Sequence, residues 1–353
     1  MEYPPPARRP QRTLAYTRGM GKFRSWATLA SLVAVGFASG AQTQTTTRSP
    51  TLVLVAAWRD DGVLVPFAKC DSGVWSVIWP EVACGDENDA ISGDELPLTG
   101  MPETWLRDPG QPPSTWFGFS WESFAEPLKV QQARRVDAHC CGTWGLPVLG
   151  APQPTEHGET QGIALTSKDA VQPFVQLDPK GAEGRKLSQF LMPVLADAET
   201  VALRRALRSP GEDERHLAAR FPADPSIRAR TPFETFFVKA VAGKLGSAVF
   251  YNVERSYQVP PADPDSTCGA VVVLSGWLRQ APDGTVSVLQ KNLDLTDCDQ
   301  KDFQSRYPYA LVQAGDKIFV LERRHGYEDE SYAITQITPK GLKLVLEKNG
   351  GGC

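Results

Sequence analysis

Between Thr51 and Pro80 the chain reads TLVLVAAWRDDGVLVPFAKCDSGVWSVIWP, three apolar stretches separated by Asp61-Gly62 and Ser72-Gly73. Such pairs supply the positive-φ positions of tight hairpins, and the Val, Leu, Phe and Trp around them suit a pleated, largely buried surface. The segment therefore predicts a β-meander. Val63–Ala68 is apolar on both faces, which places it inside the protein, and Pro66, which lacks a ladder donor, marks an edge or a bulge.

The same rhythm returns toward the C-terminus. Ala248–Val259, Val271–Leu278 and Val286–Leu295 read as strands, the last two joined by Asp283-Gly284. Four more runs follow, Ala310–Gln313, Lys317–Leu321, Tyr332–Ile337 and Leu342–Leu346, about the size of one propeller blade. No motif recurs at a fixed interval. The expected fold is mainly β, built of antiparallel meanders in a propeller-like arrangement, with a β-sandwich as the alternative. A helical insertion near 187–245 separates an N-terminal β region, 51–186, from a C-terminal one, 246–353. Within it Asp197 caps a helix carrying Val201, Leu203 and Ala206, a short helix covers Glu212–Arg220, and Phe233, Phe236, Phe237, Val241 and Leu245 recur at helical spacing after Pro232.

The leader has a different character. Lys22 and Arg24 precede an uncharged run, Trp26–Ala38, that exits through Ala38-Ser39-Gly40-Ala41, the pattern of an export signal over residues 1–41, with Met1 or Met20 as the start. A bilayer span needs about 20 apolar residues, more than this run offers, and no later run is long enough either. Thr/Gln-rich residues 42–50 read as a disordered spacer. The mature protein is expected to be soluble, without a membrane span, in the periplasm or outside the cell. Its 31 basic and 40 acidic residues leave a net charge of −9, and no basic stripe stands out, so nucleic acid is not an expected partner. All seven cysteines lie beyond the leader, where disulfides are permitted, and Cys70–Cys84 and Cys268–Cys298 flank predicted hairpins closely enough to pair.

Catalytic signatures are missing from the sequence. Gly118-Phe119-Ser120-Trp121-Glu122 places a large acid where a nucleophile elbow has a small residue, and no phosphate-binding glycine motif follows a strand. None of the four histidines pairs at metal-ligand spacing. Asp294, Asp297, Asp299 and Asp302 cluster in LDLTDCDQKD, where calcium would engage Asp297, Asp299 and Asp302, but the order is not that of an EF-hand and solvated turn residues are the simpler reading. No cofactor is expected. Seven of the eight tryptophans beyond the leader fall between Trp58 and Trp144, and Trp116, Phe119 and Trp121 are close enough in sequence to make a stacking surface for a carbohydrate or protein ligand. Core packing is the competing use of each. The functional expectation is a non-enzymatic binding or interaction protein. The alternative is an extracytoplasmic hydrolase of glycans with paired carboxylates drawn from Asp60, Asp61, Glu81 or Glu122.

Overall fold

The computed structural model describes residues 52–79, 83–84, 115–120, 126–131, 133–138, 141–150, 160–257, 269–297, 303–327 and 329–352. The opening meander is β1 (Leu52–Arg59), β2 (Val63–Asp71) and β3 (Val74–Val77), with Gly62, Ser72 and Gly73 at positive φ in its turns. Arg59 and the hairpin residue Asp61 form a buried ion pair at 2.8 Å, and Asp61 also accepts the Val63 N–H. Pro66 sits in a strand paired on both sides, and the ladder accommodates it by a bulge: Val55 opposes Ala68 and Ala56 opposes Pro66, leaving Phe67 as the extra residue.

Six further strands complete a nine-stranded antiparallel sheet: β4 (Ala83–Cys84), β5 (Thr115–Phe119), β6 (Glu126–Lys129), β7 (Arg134–Ala138), β8 (Cys141–Pro147) and β9 (Thr160–Leu165). A second sheet has the order β10 (Val171–Pro173), β16 (Ser305–Ala314), β17 (Lys317–His325), β18 (Asp329–Thr338), β19 (Gly341–Gly352). The third runs β11 (Val175–Leu177), β12 (Glu234–Val241), β13 (Ser247–Tyr257), β14 (Ala270–Gln280), β15 (Val286–Asp297). The fold is thus mostly antiparallel β. The propeller-like arrangement is not confirmed: the strands form three antiparallel sheets that share buried cores.

Side-chain alternation explains that arrangement. Along β17, Phe319 and Leu321 join a core shared with the first sheet, while Ile318 and Val320 join a core shared with the third. Phe67 stacks on Tyr332 at 5.0 Å and Trp75 meets Phe319 edge-on at 5.4 Å across the first interface; Trp277 meets Phe174 and Phe250 at 5.7 and 5.4 Å in the second. The far face of the third sheet, with Tyr251, Val253, Val272 and Leu274, is covered by helices.

Those helices are α1 (Ala182–Ala206), α2 (Glu212–Ala219) and α3 (Pro225–Arg230). Leu187, Leu191 and Leu195, four residues apart, form the buried stripe of α1, which begins well before Asp197 and carries Pro193 on its exposed side. The segment after Pro232 is the strand β12 rather than a third long helix. Phe237 and Val238 are both fully buried, on opposite faces, a demand that a strand between two layers meets and a one-sided helix does not. No helix among the described residues is long and apolar enough to cross a membrane.

One buried charge fastens helix to sheet. Glu199 of α1, 1% exposed, ion-pairs with Arg255 of β13 at 2.9 Å, accepts the Tyr257 hydroxyl, and lies 3.8 Å from Arg228 of α3. Removing one partner of such a group strands the other charge in a low-dielectric site. Glu199→Ala is expected to cost roughly 3–5 kcal/mol in chemical unfolding; a loss below about 1 kcal/mol, the range of surface pairs, would show that water reaches the cluster.

Candidate functional site

The aromatic surface expected from the sequence is not where a ligand can reach it. Trp116 is 0% exposed and Phe119 3%; three residues apart, they lie on opposite faces of β5, and each is packed into the core to which the first and second sheets contribute, while Trp121 lies outside the described residues. Of the carboxylates singled out for hydrolysis, Asp61 is engaged by Arg59, and Glu81 and Glu122 lie outside the described residues. Cys70 is a buried free thiol, so the Cys70–Cys84 bridge is not formed: β2 turns Cys70 into the core while Cys84 pairs with Cys141 across the β4–β8 ladder. Cys268 and Cys298 lie outside the described residues. The acidic cluster is split by strand period: Asp294 and Asp297 point to opposite faces of β15, and Asp297 stands 4.0 Å from Arg220, the residue that caps the C-terminus of α2, while Asp299 and Asp302 lie outside the described residues.

A different set of polar groups converges between the second and third sheets. On the facing side of the third sheet, three cross-strand rows follow one another: Val238–Phe250–Trp277–Gln290, then Phe236–Asn252–Ser275–Asn292, then Glu234–Glu254–Val273–Asp294. On the second sheet the sequence of rows is the same in character. Leu311–Val320–Thr335 gives way to Pro308–Glu322–Ala333–Glu347 and then to Arg306–Arg324–Ser331. The interface is therefore dry at one end and charged at the other, about two row spacings, or ~13 Å, away. Phe303 packs on Val271 and Val273 beside the charged end.

Within that end Arg324 clamps Glu322 through Nε and Nη2 at 3.0 and 2.8 Å and reaches Glu347 at 2.8 Å, and Ser331 also donates to Glu347. Arg306, half-buried, makes no hydrogen bond or ion pair among the described residues. Burial lowers its pKa against the pull of Glu322. Burial likewise raises Asp294, opposed by Arg306, and raises Glu254, whose neighbour Glu234 adds to the effect. Five more polar atoms on these two faces are buried without a partner: Asn252 Oδ1, Asn292 Nδ2 and Glu322 Oε2 in the middle rows, and Trp277 Nε1 and Thr335 Oγ1 in the first. Together they offer a cation, two carboxyls whose charged forms burial disfavours, and both senses of amide hydrogen bond. This set can hold a neutral, hydroxyl-rich molecule, whose groups donate and accept at once. Among the described residues no group of three metal-ligating side chains is present.

Asp294 alone was visible as a candidate in the sequence, and for a different chemistry. The others sit on alternate positions of long strands, the pattern of an ordinary solvated sheet face; only a second sheet laid over them makes them a site.

The raised carboxyls give a pH signature. A carboxyl whose pKa is higher folded than unfolded contributes stability that is present below its ordinary value and lost as pH rises through the folded one. Asp294→Asn is thus expected to melt above the wild-type protein at pH 7, with the difference fading as pH falls below Asp's ordinary 3.8. A variant less stable than wild type at pH 7 would show that the charged Asp294 is held by a partner that outweighs its burial. Comparison of the chain with protein-family models, with curated proteins and with solved structures found no match.

Proposed function

We propose that this is an exported, non-enzymatic binding protein that holds a carbohydrate at the charged end of the cleft between its second and third sheets. The observation that carries the reading is Arg306, a half-buried guanidinium without a partner among the described residues, opposite Asp294 and one row from unpartnered amide and carboxylate atoms. Leaving such groups unpaired costs stability, and a site that accepts this cost for a ligand is a familiar trade in binding proteins. Calorimetric titration against a panel of oligosaccharides tests it: wild type binds at least one saturably, and Arg306→Ala weakens that binding about tenfold or more, as expected for a lost charge-assisted hydrogen bond, without lowering the melting temperature. No saturable binding, or equal binding by the variant, overturns the proposal.

One geometric feature favours the hydrolase as the second reading. Glu254 and Asp294 flank Val273 in one row, two strands apart, so their backbones are about 9–10 Å apart, near the carboxyl separation of inverting glycosidases. Products released in the same titrations, and abolished by both Glu254→Gln and Asp294→Asn, would replace binding by turnover.

Export draws support from the cysteines. Cys141 is not a free thiol, and Cys84 is its ladder partner, a directly opposed cross-strand pair that a disulfide can join. We expect peptide mapping of the unreduced protein to recover residues 84 and 141 in one crosslinked fragment; recovery of both as free thiols would argue against an oxidising compartment.

A further inference from the structure

A second concave surface lies on the opposite side of the third sheet, independent of the cleft. α1, α2 and β15 enclose an open groove of about 800 Å³, the size of a small-ligand or peptide site. Its floor is apolar, with Leu293 and Leu295 from β15, Val201 and Ala202 from α1, and Leu217 from α2; Val201 is 59% exposed. Its strand wall is the last of its sheet, twelve residues long, and among the described residues no strand pairs with its outer side. Alternate backbone N–H and C=O groups along that side therefore face outward, and their natural complement is another strand.

We propose that the groove is a docking site for an extended peptide segment of another protein, added antiparallel to β15 and pressed against α1 and α2. A second copy of the chain fits less well. A two-fold pairing centred on β15 would bring both copies' Lys291, which is exposed and stands at the strand's midpoint, within a residue of each other, and like charges across a ladder repel. Lys291 instead specifies the peptide's chemistry. Its nearest carboxylate is Asp197 of α1, at 4.0 Å and largely solvated, so an acidic side chain opposite Lys291 gains a closer partner than the protein supplies. Lys291, Leu293 and Leu295 share the face that looks into the groove. The residues opposite them on an antiparallel strand are then, from N to C, apolar, any, apolar, any, acidic. Main-chain bonds supply adhesion, and the alternate side chains supply selectivity.

Selection of a displayed random dodecamer library on the full chain tests this, followed by anisotropy titration of the synthetic peptides it yields. The expected result is enrichment of the apolar-x-apolar-x-acidic pattern, weakened about fivefold or more by Lys291→Glu, the scale of one cross-strand charge pair reversed, and recovered on that variant when the peptide's acid is exchanged for Lys. Val201→Asp, a change at an exposed position of the facing helix, should weaken the same peptides while leaving the melting temperature unchanged. Absence of the pattern, failure of the charge exchange to recover binding, or peptides indifferent to Val201→Asp would each overturn the proposal. So would light scattering that finds a stable dimer of the free chain dissociated by Lys291→Glu.

Discussion

The second sheet has no wet face over most of its width, and the other layers follow from that. Ile318, Phe319, Val320 and Leu321 are consecutive and all buried, so β17 needs an apolar partner above and another below. Burying four such side chains stabilises by roughly 1.5–3 kcal/mol each, against which a sheet open to water on either side would forfeit half. The first sheet covers Phe319 and Leu321; the third covers Ile318 and Val320. The third sheet then faces the same problem on its far side, since Val272 and Leu274 alternate with Val271 and Val273, and the leucine stripe of α1 answers it.

The candidate cleft lies where this demand for dryness runs out. Both facing sheets change from apolar to charged rows in the same direction, the third through a row of amides and the second through Glu322 and Glu347, so the aromatic cluster around Trp277 holds the layers together while the far end admits polar groups. Glu322 illustrates the tension. Its residue is only 3% exposed, one oxygen is clamped by Arg324, and the other has no partner. Had the rows been selected for stability alone, Asn252 and Asn292 would be expected as apolar residues like Phe250 and Leu289 one or two steps away.

Local signals were legible in the sequence; the assignment of faces was not. Asp61-Gly62, Ser72-Gly73 and Asp283-Gly284 mark real hairpins, because the turn chemistry is confined to a few adjacent residues: Gly284 has φ of 82° and Asp283 accepts the Thr285 N–H at 2.9 Å. Phe233–Leu245 failed for the opposite reason. Its apolar residues satisfy helical spacing, and only the neighbours of Phe237 and Val238 on both sides decide for a strand. Trp116 and Phe119 likewise carry the same letters whether they line a ligand surface or a core, and the covering sheet settles it. The cleft is harder still, since Asn252, Ser275, Asn292, Glu322 and Arg306 come from five strands and are adjacent only after two sheets have packed.

β15 is the strand on which both surfaces depend, through its register. Asn292 and Asp294 face the cleft while Leu293 and Leu295 face the helices, so a slip of one residue would put leucines into the charged end and carboxylate under α1. Two features hold the register. The ladder with β14 carries a bulge at Leu289, between the pairs Trp277–Gln290 and Leu278–Val288, and Leu289 packs into the aromatic core. Beside it the Tyr251 hydroxyl donates to the Gln290 carbonyl at 3.1 Å across Gly276, where any Cβ would stand 2.1 Å from that same oxygen. The bulge fixes which residues face which way, and the missing side chain lets Tyr251 lock the bulge. The polar cleft and the apolar groove are therefore two readouts of a single backbone constraint, and a change at Gly276 would disturb both although it lines neither.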